Sequence, residues 1–158
     1  MTTITRTQAA TSTASTASAT KPQLVERVRP IVLGLFRVVT SALFLIHGLA
    51  GFGFFGGIDG HGGAMPFGSF PGFWASVIEV VGAVLILLGV ATRPAAIVLS
   101  GVMAYAYFTV HAPMGLLPMQ NMGEPAALYS WIFLTIAFTG PGAFALGNLR
   151  RRAGKARQ

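Results

Sequence analysis

At 158 residues the chain has the length of one domain. Hydrophobic residues make up 53% of it and charged residues only 9%, which excludes an ordinary soluble domain and predicts an integral membrane protein. The net charge of +7 does not indicate nucleic-acid binding, because the basic residues flank hydrophobic runs and form no stripe with interleaved aromatics. The chain has no cysteine, so disulfides, iron–sulfur ligation and cysteine-based zinc sites are excluded.

Four hydrophobic segments follow an N-terminal tail of residues 1–22, which is rich in Thr, Ser and Ala and is predicted to be disordered. The segments are predicted to be helices that cross a bilayer, within a transmembrane domain of residues 23–149. A basic tail of residues 150–158 ends the chain. The expected spans are residues 31–55, 73–91, 94–111 and 125–146.

The distribution of Lys and Arg predicts the orientation of these spans. Neither of the loops on the opposite side has any Lys or Arg. We therefore expect a four-helix transmembrane bundle with both termini cytoplasmic, in a bacterial-type plasma membrane. The basic residues on the inner side are Lys21, Arg27, Arg29, Arg93, Arg150, Arg151, Arg152, Lys155 and Arg157.

Helical periodicity predicts which faces of the spans meet other protein. In the first span, Arg37 is expected to snorkel towards the headgroups on the inner side. The stripe of polar and small residues there comprises Arg37, Thr40, Ser41, Phe44, His47, Gly48 and Gly51. The corresponding stripe of the second span holds Glu79, Gly82, Ala83 and Ile86, and that of the third holds Ser100, Met103, Ala104, Tyr107 and His111.

Four ionisable residues are predicted to gather in the outer half of the bundle. A rise of ~1.5 Å per residue puts His47, Glu79 and His111 about 21–25 Å above the inner boundary, and Glu124 opens the fourth helix at that end. Each has a structural alternative: packing for Glu79, tolerance of imidazole near the interface for the histidines, and helix capping for Glu124. An acid within the membrane is nevertheless usually functional.

The candidate catalytic residues are Glu79, His47 and His111, as proton carriers or ligands of a head group. The candidate cofactor-binding residues are Glu79, His111, Glu124 and Tyr107. No HExxH or Glu-x-x-His pair is present, so no metal site is predicted, and a membrane quinone is the candidate cofactor. Tyr105, Tyr129, Trp74 and Trp131 need no role beyond packing and interfacial belts.

The loop GGIDGHGGAMPFGSFP contains Asp59 and His61 two residues apart. This spacing does not make a metal site, and we interpret the segment as a solvent-exposed loop.

Several motifs in order resemble the DoxX family of small four-helix membrane proteins. They are LFLIHGLAGFGFFGG (43–57), IEVVGAVLILLGVATRPAAIVLSGVMAYAYFTVHAP (78–113) and GEPAALYSWIFLTIAFTGPGAF (123–144). The resemblance covers roughly residues 31–146. It implies that His47, Glu79, His111 and Glu124 correspond to recurrent polar positions of the family. The chain departs from many members at Gly51, where they have Lys, and after Gly142, where they continue with Ser and Asp.

The resemblance implies a membrane subunit of an oxidoreductase or quinone-linked system, since one branch resembles the membrane subunit of thiosulfate:quinone oxidoreductase. Two alternatives stay open: a non-catalytic scaffold that docks a partner enzyme, and a carrier of small solutes or protons. The expected partners are the lipid bilayer, a redox enzyme and a second copy of the chain, with no nucleic acid. The sequence does not name the substrate.

Overall fold

A computed structural model describes residues 20–148, with side chains from residue 23 onward. Within this range the chain is all-α, which confirms the helical part of the predicted fold class. The four α-helices are α1 (Thr20–Ala50), α2 (Gly72–Leu88), α3 (Thr92–Ala106) and α4 (Glu124–Thr139). A π-helical turn (Tyr107–His111) and a 3-10 turn (Ala112–Met114) continue α3, and another 3-10 turn (Phe54–Gly56) follows α1.

The predicted tails lie outside the described residues, apart from Thr20–Pro22, which form the start of α1. Within residues 20–148, two helical stretches are long and apolar enough to cross a membrane: Gln23–Ala50, with 28 residues, and Thr92–Met114, with 23. The apolar helix α2 is shorter, with 17 residues, and α4 has 16.

The helices run in alternating directions, and hydrogen bonds join their ends at one side of the bundle. The N–H of Ala143, just after α4, donates to the carbonyl of Pro30 in α1 at 2.7 Å. The N–H of Gly147 donates to the carbonyl of Gly89, between α2 and α3, at 3.2 Å. Arg93 at the start of α3 belongs to the same side, which we call the basic end. The loops 51–71 and 112–123 form the other side, the loop end.

Packing of α1 on α2 and of α3 on α4 is the most extensive, and α2 joins the two pairs. Ser100 of α3 links to α4 by donating its hydroxyl to the carbonyl of Ser130 at 2.8 Å. Gly82 keeps α2 close to α3, since a Cβ there would come within 2.7 Å of the Leu99 side chain. The buried core is Phe44, Ala83, Ile86, Ala95, Ala96, Leu99, Met103, Phe133, Ile136 and Ala137.

Two helices end earlier than their hydrophobic segments, because glycines follow. The first segment was expected to continue to Phe55, but α1 ends at Ala50, and Phe55 has a left-handed backbone with φ of 53°. The fourth was expected to reach Leu146, but α4 ends at Thr139, and Gly140 has φ of 83°. The residues after Gly140 turn back onto α1.

The predicted protein-facing stripes of the first two helices are confirmed by burial, with one exception. Every stripe residue of the first span is buried except His47, which is exposed. All four stripe residues of α2 are buried. In the predicted stripe of the third span, Ser100 and Met103 are buried, while Ala104, Tyr107 and His111 are half-buried.

Candidate functional site

A cavity of about 430 Å³ lies at the loop end, between all four helices and both loops. Its wall includes three of the predicted ionisable residues: His47 from α1, Glu79 from α2 and His111 from the π-helical turn. The remaining wall is largely apolar, with Val102 and Met103 on one side. Such a volume falls in the range of ~300–1,000 Å³ that is usual for sites of small molecules and cofactors.

Glu79 lies where the backbone around Gly48 and Gly51 comes close to α2. It is only 6% exposed, and its carboxyl group has no hydrogen-bond partner within residues 20–148. A Cβ on Gly48 would lie 3.1 Å from the Cβ of Glu79, and one on Gly51 would lie 2.7 Å from the Cβ of Ser76, one turn before Glu79. These two glycines, Gly48 in α1 and Gly51 just after it, therefore allow the contact that sets Glu79 at the wall of the cavity.

A buried aromatic group supports His47 from below. The ring of Phe44, fully buried, stacks under the imidazole of His47 with centroids 5.5 Å apart. Phe44 also contacts the rings of Tyr129 and Phe133 of α4, at 4.8 Å and 4.7 Å. His47 thus packs on Phe44, has no hydrogen-bond partner within the described part of the chain, and lines the cavity.

His111 reaches the cavity through the π-helical turn Tyr107–His111. Such wide turns shift the residues after them to a different helical face, and they are frequent at functional sites. Here the turn brings Thr109, Val110 and His111 to the cavity wall, whereas Tyr107 is not part of it. The 100° periodicity that grouped Tyr107 with His111 does not hold across this turn.

Asn121 fixes the orientation of the His111 ring. The Nδ1 of His111 lies 3.0 Å from the carbonyl oxygen of Asn121, which can only accept, so Nδ1 carries the proton and donates it. In the neutral ring, Nε2 is then the acceptor. The buried side chain of Asn121 donates to the carbonyl of Gly115 at 2.8 Å and accepts from the N–H of Gly123 at 2.8 Å. Sequence reasoning missed this residue, because an Asn in a loop carries no periodic signal.

Glu124 and Tyr107, two candidate cofactor ligands, lie outside the cavity wall. Glu124 is exposed in the first turn of α4, where a carboxylate suits the positive end of a helix. The next two residues, Pro125 and Ala126, do line the cavity. The hydroxyl of Tyr107 faces the carbonyl of Leu116, at 3.4 Å.

Two tyrosines to which the sequence assigned only packing belong to the wall, Tyr105 of α3 and Tyr129 of α4. They add aromatic surface to the wall, and the ring centroid of Tyr129 lies 6.3 Å from that of His47. Ser76 of α2 also lines the cavity, with its hydroxyl donating to the carbonyl of Gly72 at 3.2 Å.

Arg37 does not snorkel to headgroups as expected, because its guanidinium group is fully buried in protein. Its Nη1 donates to the carbonyls of Ile86 and Leu87 in the last turn of α2, the latter at 2.6 Å. Its Nε donates to the carbonyl of Pro141 at 2.8 Å, and its Nη2 to that of Ala143 at 3.3 Å. Arg37 therefore caps α2 and ties the segment after α4 to α1, so its part is structural.

Asp59 holds the conformation of the first loop through hydrogen bonds to its main chain. Its Oδ1 accepts from the N–H groups of His61 and Gly63, both at 2.8 Å. These two hydrogen bonds lower the pKa of the Asp59 carboxyl group, because they stabilise its charged form. Asp59 and His61 are both exposed, which agrees with a solvent-exposed loop.

Comparisons with known proteins relate this chain to one family. The family model described as DoxX matches residues 32–112, a range that contains His47, Glu79 and His111. A protein of Haemophilus influenzae, known only as an uncharacterized protein, is 46% identical over 127 residues, covering 78% of this chain and 94% of that relative. No solved structure matches the chain.

Proposed function

The chain belongs to the DoxX family, and on this basis we propose that it is the membrane subunit of an oxidoreductase or quinone-linked redox system. The observation that carries the proposal is the cavity at the loop end, where Glu79, His47 and His111 come from three different elements to one wall. The aromatic and apolar remainder of the wall suits the ring of a quinone-type head group.

We assign the polar groups of the wall to the two ends of such a head group. The Nε2 of His111 accepts a proton or hydrogen bond, since Nδ1 is already engaged with Asn121. Glu79 has no competing partner within residues 20–148, so its carboxyl group is free to hold a proton at the cavity. A bound quinone would supply the electron-accepting chemistry, and the electrons would come from a partner enzyme.

The proposed setting is a four-helix transmembrane bundle with both termini cytoplasmic. The exposed side chains of Arg27, Arg29 and Arg93 at the basic end support this orientation. Helices α2 and α4, with 17 and 16 residues, match a hydrocarbon core of ~30 Å only if the bilayer thins or the flanking turns contribute.

Titration of the detergent-purified full chain with a short-chain quinone tests the site. Glu79→Gln is expected to weaken binding at least several-fold, because the amide cannot exchange a proton. Glu124→Gln is the matched control, since it removes the same carboxylate outside the cavity and should leave binding unchanged. Equal binding by the parent and Glu79→Gln would contradict the site.

A different result would favour the scaffold alternative. If no quinone binds to any version, and a soluble enzyme co-purifies equally with the parent and Glu79→Gln, the cluster serves helix packing. Co-purification that depends on Glu79, together with quinone binding, would support the redox role.

The absence of cysteine from the sequence makes the orientation directly testable. Gly60→Cys in the first loop and Gln120→Cys in the second should react with a membrane-impermeant maleimide on intact cells. Asn148→Cys, at the basic end, should react only after lysis. Labelling of Asn148→Cys on intact cells would overturn the proposed topology.

A further inference from the structure

The two loops at the loop end carry large apolar side chains that the described part of the chain leaves uncovered. Phe67 and Phe70 of the first loop are 93% and 81% exposed. Leu116 and Met119 of the second loop are 89% and 83% exposed. Extended apolar surface of this kind marks contact with a membrane or with another protein. These side chains therefore call for a partner that covers them.

The same loops are poor in charge. Residues 51–71 contain one acidic side chain, that of Asp59, and residues 112–123 contain none. Neither loop has Lys or Arg. This composition suits the boundary of a bilayer, where aromatic and aliphatic side chains lie against lipid and each charged group costs free energy.

Helix lengths put the two loops at such a boundary. Helix α2 has 17 residues and rises ~25 Å, whereas the hydrocarbon core of a bilayer is ~30 Å thick. From Arg93 at the basic end, α3 and its π-helical turn rise ~27 Å to His111. The layer of headgroups adds ~5–7 Å on each side of the core. Both loops follow directly after these helix ends, so they fall at the level of the headgroups and the adjoining acyl chains.

An aromatic cluster joins the first loop to the exposed apolar surface of α2. The ring of Phe67 packs against that of Phe73 with centroids 4.9 Å apart, and Phe73 contacts Trp74 at 5.5 Å. Trp74 lies in the first turn of α2 and is exposed, and the exposed Ile78 and Val81 follow it along the helix. Aromatic side chains are enriched where a bilayer meets water. The surface of Phe67 is thus continuous with the one that α2 presents to lipid.

Main-chain pairing within the loops also suits an apolar boundary, because unpaired N–H and C=O groups are costly away from water. In the first loop, the N–H of Ser69 donates to the carbonyl of Pro66 at 3.0 Å. In the second, the N–H groups of Gly123 and Glu124 both donate to the carbonyl of Pro118, at 3.0 Å and 3.1 Å.

We propose that both loops lie in the boundary layer of the bilayer and that lipid covers their apolar side chains. Phe67, Phe70, Leu116 and Met119 contact the upper parts of the acyl chains, and the carboxylate of Asp59 faces the headgroups and water. The proposal rests on the transmembrane setting proposed above and is independent of the quinone site.

Spin labels on single cysteines test the depth of the loops, since the sequence has no cysteine of its own. Phe67→Cys and Leu116→Cys are compared in vesicles of phosphatidylethanolamine and phosphatidylglycerol, and their exposure means that a label displaces little packed protein. Collisions with oxygen report lipid, and collisions with a nickel complex report water. The ratio of oxygen to nickel collisions should be several-fold higher at both positions than in the controls Gly60→Cys and Gln120→Cys, which place labels at exposed positions of the same loops.

Trp74 gives a second measurement with both loops unaltered. The chain has two tryptophans, so Trp131→Phe leaves Trp74 as the reporter. If the loops lie in the boundary layer, Trp74 lies inside the hydrocarbon core. Lipids brominated on their acyl chains should then quench its fluorescence, and iodide in the water should leave it unchanged.

Three results would contradict the proposal. Nickel collisions as frequent in Phe67→Cys and Leu116→Cys as in the two controls would place the loops in water. Few collisions with either reagent at both positions would mean that protein, for example a second copy of the chain, covers them. Quenching of Trp74 by iodide but not by brominated chains would place the start of α2, and the loops beyond it, outside the core. A reversed orientation of the chain changes none of these readings, and labelling of Asn148→Cys on intact cells detects it separately.

Discussion

Arg37 and Glu79 are both buried charged side chains in hydrophobic helices, yet their surroundings differ completely. The guanidinium group of Arg37 donates to four main-chain carbonyls at the basic end. The carboxyl group of Glu79 has no partner within residues 20–148 and lines a cavity at the loop end. Similar burial therefore goes with different surroundings: the hydrogen bonds of Arg37 hold segments of the fold together, whereas the carboxyl group of Glu79 lies at the cavity for which we propose a ligand.

The largest expected loss of stability follows from Arg37→Leu. It removes the donor to the carbonyls of Ile86, Leu87, Pro141 and Ala143, so the free energy of unfolding should fall by ~3 kcal/mol or more. Arg37→Lys keeps the charge but lacks the planar fork of donors. Its free energy of unfolding should therefore lie between those of the parent and Arg37→Leu. Denaturant unfolding in detergent measures the stability of both variants. If Arg37→Leu were as stable as the parent, the structural role assigned to Arg37 would be wrong.

A smaller loss is expected from Gly51→Ala, which tests how Glu79 is held. The added methyl group meets Ser76, so α2 must move away, at a cost of ~1–3 kcal/mol. Gly101→Ala is the control, since nothing lies within 4 Å of its position, and it should stabilise α3 by ~0.5–1 kcal/mol. Thermal unfolding compares the two, and equal effects would show that close approach at Gly51 is unimportant.

Asn121→Ala should lower stability by ~1–2 kcal/mol, because two hydrogen bonds of the second loop are lost. The control Gln120→Ala changes the exposed residue next to Asn121 and should leave the free energy of unfolding unchanged. The main-chain carbonyl that pairs with His111 is retained in Asn121→Ala, but the side-chain hydrogen bonds that hold this carbonyl in place are lost. The ¹⁵N chemical shifts of the imidazole should therefore move towards a mixture of the two tautomers. Unchanged shifts would mean that the Asn121 side chain is not needed to hold its carbonyl against His111.

The smallest effect on stability is expected from Glu79→Gln, which changes the second of the two buried charged residues compared above. No partner is lost and no charge has to be buried, so the free energy of unfolding should stay within ~0.5 kcal/mol of the parent or rise. Unfolding under the same conditions as for Arg37→Leu makes the comparison direct. A loss as large as that of Arg37→Leu would indicate that Glu79 serves packing.

What the sequence predicted well rests on local periodicity. Glu79, Gly82 and Ile86 recur at helical spacing in an otherwise apolar run, so their shared buried face follows from geometry alone. The meeting of Glu79, His47 and His111 followed from rise per residue, because the helices run in alternating directions between two fixed ends.

What the sequence could not predict depends on distant main-chain groups and on breaks in helical regularity. The acceptors of Arg37 are carbonyls on segments far along the chain, and carbonyl positions leave no mark in the side-chain pattern. Tyr107 was grouped with His111 by a regular 100° spacing that the π-helical turn interrupts. Glu124 has the expected place at the start of α4, but depth alone does not say whether a side chain faces inward.

The π-helical turn also affects how related sequences are aligned with this one. It holds one residue more than a regular α-helix needs over the same height, so a relative with an ordinary α3 would show a one-residue gap between Tyr107 and His111. Moving such a gap elsewhere would pair His111 with a residue on a different face. The position of a single gap therefore indicates whether a relative carries a histidine at the same wall of the cavity.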